Sequence, residues 1–125
     1  MTPTKLQLPP GKLLVTGNEQ SCSASWFSGT FGDRGTVELS SLGGPEDWWV
    51  ARAIVQGSPN VRSKGIGSVL LQLALAKAVE MGALKVTVAP GGYGMKPRDQ
   101  QRFYEKNGFK KTRSDGGWIW VWTKR

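Results

Sequence analysis

Residues 61–71 read V-R-S-K-G-I-G-S-V-L-L and place two glycines where an apolar helix is about to begin. Glycine costs about 1 kcal/mol relative to alanine inside a helix, so this pair needs a further reason. Backbone N–H groups at the start of a helix lack intrahelical acceptors and lie at the positive end of the helix dipole, where a phosphate binds well. Arg62 and Lys64 would strengthen that attraction. The segment therefore predicts a phosphate-binding loop that leads into a helix.

Two common glycine-rich phosphate loops do not fit this segment. The Walker pattern is absent because no glycine precedes a Gly-Lys-Ser/Thr triplet at the required spacing. The dinucleotide pattern lacks its third glycine, and Lys85 and Thr87 occupy the region where an acidic residue is expected. What remains is an R-x-x-G-x-G pattern at Arg62, Gly65 and Gly67.

Hydrophobic periodicity on both sides of the loop predicts an α+β fold. Apolar residues recur at intervals of three and four over residues 65–81, which indicates a helix that Gly82 ends. Strands at residues 48–56 and 85–89 flank this helix and complete a parallel, right-handed β-α-β unit. The other predicted elements are strands at 12–16, 21–28 and 36–42, a helix from Pro97 to Asn107-Gly108, and a terminal hairpin of 109–113 and 118–123. We expect a single domain over residues 1–125, with a mixed, mostly antiparallel sheet and two helices.

Two motifs in this order resemble the GNAT N-acetyltransferase superfamily. In that family the central strand leads into V-x-x-x-P-x-x-R-G-x-G-I-G, and residues 55–67 keep this register except at Ser63, where the family often has glycine. Further along, the family carries F-Y-E-K-x-G-F, and residues 103–109 match every fixed position. The resemblance covers residues 49–109 and implies the GNAT-like acyl-CoA N-acyltransferase fold.

The resemblance implies acetyl-CoA as the acyl donor, with its pyrophosphate on the glycine loop and its pantetheine arm on the main chain of Val55 and Gly57. The residues at the family's cofactor-binding positions are Val55, Gly57, Arg62, Ser63, Lys64, Gly65, Ile66, Gly67 and Ser68. Tyr104 stands at the position of the general acid that protonates the departing thiolate of CoA.

The acceptor implied by the family is an amine, such as a protein lysine or an N-terminus, that attacks the thioester directly in a ternary complex. Trp49, Glu38 and Tyr93 are candidates for contact with this acceptor. The chain has no histidine, so the general base would be a carboxylate such as Glu38 or Glu46, or water.

The chain also departs from the family. Its N-terminal third lacks the two helices that usually follow the first strand, which predicts a minimal member. Pro97 replaces the usual asparagine and Gln100 the usual alanine in the second half of the cofactor site. Residues 89–97, A-P-G-G-Y-G-M-K-P, therefore form a special loop.

Composition limits the chemistry and the partners. One cysteine and no histidine exclude an internal disulfide and the usual zinc sites, so we expect no metal. The net charge is +8, and residues 61–125 carry thirteen Lys/Arg against four Asp/Glu. Such a field attracts polyanions, so nucleic acid, a phosphate-bearing cofactor and an acidic protein partner are all compatible with it.

Three alternatives to a plain amine acetyltransferase stay open. Trp118, Trp120 and Trp122 share one face of the last strand and are core, partner surface or a base-stacking platform, so the basic half could be a nucleic-acid-binding module. RNA-linked amines could be the acceptor, or a GNAT shell could bind CoA and act by protein interaction without turnover.

The expected location is the cytoplasm. Residues 1–10 have neither a basic start nor an apolar stretch, and no apolar run approaches the length of a membrane span. The resemblance extends to short viral members of the family, so the cytoplasm of a virus-infected host cell is included. No membrane partner is expected, and the protein would be a monomer or a homodimer.

Overall fold

The computed structural model describes residues 11–28, 33–56, 65–89 and 97–124, which form one sheet and two helices. The first four strands are β1 (Lys12–Gly17), β2 (Ser21–Phe27), β3 (Arg34–Ser41) and β4 (Trp48–Gln56). They are followed by α1 (Ile66–Glu80), β5 (Lys85–Val88), α2 (Pro97–Lys106), β6 (Lys110–Ser114) and β7 (Gly117–Thr123). The predicted α+β fold is confirmed.

The strand order across the sheet is β1-β2-β3-β4-β5-β7-β6. Strands β1 to β4 are joined in sequence as antiparallel neighbours, β5 pairs β4 in parallel, and β7 lies antiparallel between β5 and β6. The parallel pair is therefore at the centre of the sheet, with α1 as its crossover. This is the β-α-β unit that the sequence predicts.

Helix α1 lies across the first four strands and buries an apolar face against them. Gly65 precedes it with a left-handed φ of 75°, a conformation that strongly favours glycine. At its end Gly82 has φ 101°, and the Ala83 and Gly82 amides donate to the Ala78 and Val79 carbonyls, as in a Schellman cap. The first glycine of the pair at residues 65–67 is thus required by the backbone, and Gly82 ends the helix as predicted.

Helix α1 packs tightly against the sheet at Gly35 in β3. A Cβ atom there would lie 2.8 Å from Cδ1 of Leu70 and 3.4 Å from Cγ2 of Ile66 and of Val55. Leu70 and Ile66 are fully buried. Because Gly35 has no side chain, the first turns of α1 can pack closely against β3 and the end of β4.

The two faces of the first three strands differ in composition. The face toward α1 is apolar and buried, and it carries Cys22, Ala24, Trp26, Val37 and Leu39. The alternate positions are mostly polar, with Ser23, Ser25, Thr36, Glu38 and Ser40, and they also carry the exposed side chains of Leu14 and Phe27. Hydroxyl pairs cross this polar face between neighbouring strands, with Ser25 3.3 Å from Thr36 and Thr16 3.1 Å from Ser23.

The connection between β1 and β2 explains why this face is polar. Only residues 18–20 separate the two strands, and the Asn18 side chain accepts from the Gln20 and Ser21 amides to form a tight turn. The two helices that usually follow the first strand in the GNAT superfamily therefore do not fit between β1 and β2, as the sequence predicts. No helix in the described ranges is long and apolar enough to cross a membrane.

Candidate active site

The parallel pairing between β4 and β5 is short. β4 and β5 are in register at Trp48 with Val86 and at Trp49 with Thr87. β5 ends at Val88, whereas β4 continues to Gln56 and stays paired with β3 on its other side. Within the described residues, the open segment of β4 (residues 50–56) has no neighbour on the β5 side.

An open segment of this kind offers unpaired backbone N–H and C=O groups in the middle of a sheet. Its side chains are largely exposed from Ala51 to Ile54, and Val55 is half-buried. The segment leads toward the start of α1, so the separated strands and the helix N-terminus lie at the same end of the sheet. An extended ligand could add to β4 there as a further strand would.

The first turn of α1 is suited to an anion. Its leading N–H groups have no acceptor within the helix, no side chain caps them, and no acidic residue lies in the first turn. The loop before it, with Gly57, Arg62, Ser63 and Lys64, lies outside the described residues. Of the predicted cofactor positions, the structure describes Val55 and the four residues from Gly65 to Ser68.

Gly67 has a packing role that sequence reasoning missed. A Cβ atom on Gly67 would lie 3.3 Å from Cε1 of Phe103 and 3.4 Å from Cγ2 of Val55. The residue therefore stands where α1, α2 and the end of β4 converge. Its small size brings the three elements together, whatever the backbone amide binds.

Ile66 and Ser68 point away from the place a phosphate would occupy. Ile66 belongs to the hydrophobic core, and Ser68 is only 3% exposed. The Ser68 hydroxyl accepts a hydrogen bond from Nδ2 of Asn107 at 3.1 Å. Both residues can therefore offer only their main chain to a ligand at the helix start.

Tyr104 lies on the inner side of α2 and is 6% exposed. Its ring meets Phe103 and Phe109 edge-on, with centroids 5.1 Å and 5.3 Å away. Burial raises the pKa of the Tyr104 phenol to about 12 from its ordinary value of 10.0. The side chain is thus a neutral O–H donor at physiological pH and is unable to act as a base there.

The F-Y-E-K-N-G-F motif is also the C-terminal cap of α2. Gly108 has φ 95° and donates its N–H to the Glu105 carbonyl at 3.1 Å, while Phe109 donates to the Tyr104 carbonyl at 3.0 Å. These two bonds, with the Tyr104–Phe109 ring contact, form a Schellman motif. The motif therefore fixes the end of the helix and holds the Tyr104 ring in place.

Two of the three candidate acceptor contacts lie side by side. Glu38 is opposite Arg52, and Trp49 is opposite Ser40, so Glu38 and Trp49 share the polar face of the sheet beside the open segment of β4. Trp49 is half-buried and donates Nε1–H to Asp47 at 2.7 Å, whereas Glu38 and Glu46 are exposed. The third candidate, Tyr93, lies outside the described residues.

The tryptophans of β7 do not form a three-ring stacking platform. Trp120 is 3% exposed and Trp122 is half-buried, so only Trp118, at 51%, presents its ring to solvent. Lys111 Nζ lies 4.6 Å and Arg113 Cζ 5.3 Å from the centre of that ring. The row is therefore mainly core, and its exposed end is occupied by two cations of β6.

Comparison with known proteins agrees with this geometry. A family model described as an acetyltransferase (GNAT) domain matches residues 33–111, which is more than half of the chain. The chain belongs to the GNAT acetyltransferase family. The match begins just before β3 and includes the separated strands, α1, and α2 with its cap.

Solved GNAT structures share the fold at low sequence identity. A GNAT acetyltransferase from Staphylococcus aureus is 16% identical, with a TM-score of 0.66 over 84% of this chain and 69% of its own. A Bacillus subtilis acetyltransferase in complex with CoA is also 16% identical, with a TM-score of 0.64 over 86% and 79%. An aminoglycoside 6'-acetyltransferase of type Ii is 15% identical, with a TM-score of 0.61 over 83% and 69%. No curated protein matches this GNAT domain in sequence.

Proposed function

We propose that this GNAT domain is an acetyl-CoA-dependent N-acetyltransferase that acts on an amine acceptor by direct attack in a ternary complex. The observation that carries the proposal is that β4 continues to Gln56, well beyond the residues it pairs with β5, at the end of the sheet where α1 begins. This opening offers backbone groups to an extended chain beside helix amides that favour a phosphate.

The described residues would contact acetyl-CoA mainly through their main-chain groups. The open segment of β4 would bond the amide groups of the pantetheine arm, and the amides of residues 65–68 would bind the pyrophosphate. Arg62, Lys64 and Ser63 would add charge and hydrogen bonds, and Gly57 would extend the main-chain contacts. Bound acetyl-CoA supplies an activated acetyl thioester, and the protein supplies the position and polarity around it.

Tyr104 would donate its O–H to the sulfur as negative charge develops there. With a pKa of about 12 for the phenol and roughly 8.5 for an ordinary thiol, complete transfer of the proton to the thiolate would be uphill. We therefore assign Tyr104 as a hydrogen-bond donor to the developing thiolate, which lowers the barrier to acetyl transfer. Through this hydrogen bond Tyr104 would also relay a proton from water to the thiolate of CoA.

The acceptor would approach from the polar face of the sheet, where Glu38 and Trp49 lie beside the open segment of β4. Its amine must be neutral to attack, and Glu38 or a water molecule would take the proton that the amine loses. A protein lysine or an N-terminus supplies such an amine. Tyr93 would contribute a further contact.

Ligand-induced stabilisation tests donor binding. A ligand at one hundred times its Kd stabilises the folded state by about 2.7 kcal/mol, which gives a shift of several degrees in Tm for acetyl-CoA. Arg62→Ala with Lys64→Ala would remove most of the shift. The matched control is Lys110→Ala with Lys111→Ala on β6, which makes the same change in net charge and would keep it. If acetyl-CoA at millimolar concentration produces no shift, the proposal fails.

Transfer itself is tested with isotopically labelled acetyl-CoA, a peptide library and intact host extract, followed by peptide mapping. The expected product carries the label on an amine nitrogen. Tyr104→Phe would keep the thermal shift and lower kcat by about 10²-fold, within the range for loss of a hydrogen bond to a developing negative charge. Normal turnover by that variant would remove Tyr104 from the mechanism.

A further inference from the structure

A side-chain network centred on the buried Asn107 joins the start of α1 to the end of α2. Asn107, 9% exposed, directly follows α2 and donates Nδ2–H to the Ser68 hydroxyl at 3.1 Å and to the Phe103 carbonyl at 2.8 Å. Gln72 donates Nε2–H to Oδ1 of Asn107 at 3.1 Å and lies 3.3 Å from its backbone carbonyl. Ser68 and Gln72 are one helical turn apart, so both face α2.

Every polar group of the Asn107 amide is used in this network. Its two N–H donors have two acceptors, and its oxygen accepts from Gln72. A fully satisfied buried amide specifies one arrangement of the helices, because any shift would leave a buried donor or acceptor unpaired. The contact is therefore a fixed latch between the two helices.

The latch lies within one turn of both ends of the proposed site. Ser68 is in the first turn of α1, where the helix amides would bind the pyrophosphate. Asn107 directly follows α2 and lies three positions after Tyr104. Its backbone N–H donates to the Tyr104 carbonyl at 3.0 Å. The network therefore connects the helix that would bind the phosphate to the helix that carries Tyr104.

We propose that Asn107 is a positioning residue of the acetyl-transfer reaction, which sets the Tyr104 hydroxyl against the donor bound at α1 by means of its bonds to Ser68 and Gln72. The inference rests on the proposed function. It concerns a residue that touches neither the donor nor the acceptor, and it predicts an effect on kcat more than on donor affinity.

The test is a double-mutant cycle of Asn107→Ala and Tyr104→Phe, with kcat and the KM for acetyl-CoA measured for all four proteins. Asn107→Ala alone would lower kcat by about tenfold or more, because a displacement on the order of 1 Å has effects of that size. Its KM would stay within about threefold of the original, because the helix amides remain. In the Tyr104→Phe background the same change would lower kcat by less than about twofold, since the group it positions is absent.

Val37→Ala, in the sheet away from the latch, is the control for general destabilisation. It removes buried apolar volume and would lower Tm while leaving kcat unchanged at temperatures where the protein is folded. Gln72→Ala is the second variant if Asn107→Ala does not fold, because Gln72 is exposed and its removal leaves Asn107 with its other bonds. It would lower kcat by about threefold in the Tyr104 protein alone.

The outcomes separate the two proposals. Additive losses of kcat, or a rise in KM without a fall in kcat, would overturn the role of Asn107 while acetyl transfer by the unmodified protein still stands. Unchanged kcat in Gln72→Ala would also overturn it. If the unmodified protein transfers no acetyl group, both proposals fail together.

Discussion

Replacement of Gly35 by alanine tests the contact that sets α1 against β3 and the end of β4. Gly35 does not have a positive φ, so alanine fits the backbone and would on its own stabilise the protein by about 0.4–1 kcal/mol through the unfolded state. The new Cβ, however, would lie 2.8 Å from Cδ1 of Leu70, which is fully buried, so Leu70 can move only by displacing its packed neighbours. Overpacking of this kind costs about 1–3 kcal/mol.

The overpacking term is the larger, so we expect Gly35→Ala to destabilise the protein by a net 1–2 kcal/mol or about 4–8 °C in Tm for a domain of this size. Thermal unfolding followed by circular dichroism measures the change. Leu70→Val removes the atom that clashes and costs about 1 kcal/mol by itself. In the double variant the two losses would not add, and the coupling would be at least about 0.5 kcal/mol in favour of the pair. Additive losses, or a more stable Gly35→Ala protein, would refute this account of the contact.

The remaining predictions concern titration and the backbone. Below pH 10 the Tyr104 phenol is protonated in both states, but as pH rises toward its folded pKa of about 12 only the unfolded chain ionises. The free energy of unfolding should therefore fall by up to about 1.4 kcal/mol per pH unit in that window. Urea unfolding measures this slope, and Tyr104→Phe should make it shallower. An equal slope in both proteins would contradict the role of Tyr104 in the pH dependence. Burial raises the pKa of the Cys22 thiol, partly offset by Lys77, so iodoacetamide at pH 8 should modify the protein in urea but not in buffer, as read by intact mass. Gly82 has φ 101° and no neighbour within 4 Å, so Gly82→Val should lower stability by about 1–2 kcal/mol and Gly82→Asn by clearly less, and equal losses would show that the conformation is not the cause.

The sequence predicts those parts of the fold that depend on local pattern. The spacing of apolar residues identifies α1, Gly82 identifies its end, and the order of strands and helices identifies the parallel unit. The family motifs place Gly65 and Gly67 at the start of α1 and Tyr104 in α2, as the structure has them. These features can be predicted because the spacing of apolar residues, the turn residues and the motif spacing are all read directly from the sequence.

The features that depend on contacts distant in sequence are not legible in the same way. Asn107 occupies the variable position of its motif, and its partner Ser68 is 39 residues away. The small size of Gly67 is explained by Phe103, which reaches it from another helix. One local sign was available, because Ser68 and Gln72 are polar residues one turn apart in the mostly apolar first half of α1. Such a pair predicts a buried hydrogen-bond partner without identifying it.

The serine- and threonine-rich face of β2 and β3 has a consequence for how this protein could be rebuilt. A helix pair transplanted from a longer relative into the turn at residues 18–20 would meet hydroxyl groups already paired across the strands, and the large exposed apolar side chains it could cover there are Leu14, Phe27 and Ile54. A stable helix layer on this face would require apolar substitutions at the serine and threonine positions of the strands before any helix was inserted. Among the described residues no helix covers this face, and several of its serine and threonine hydroxyls pair with one another across the strands instead.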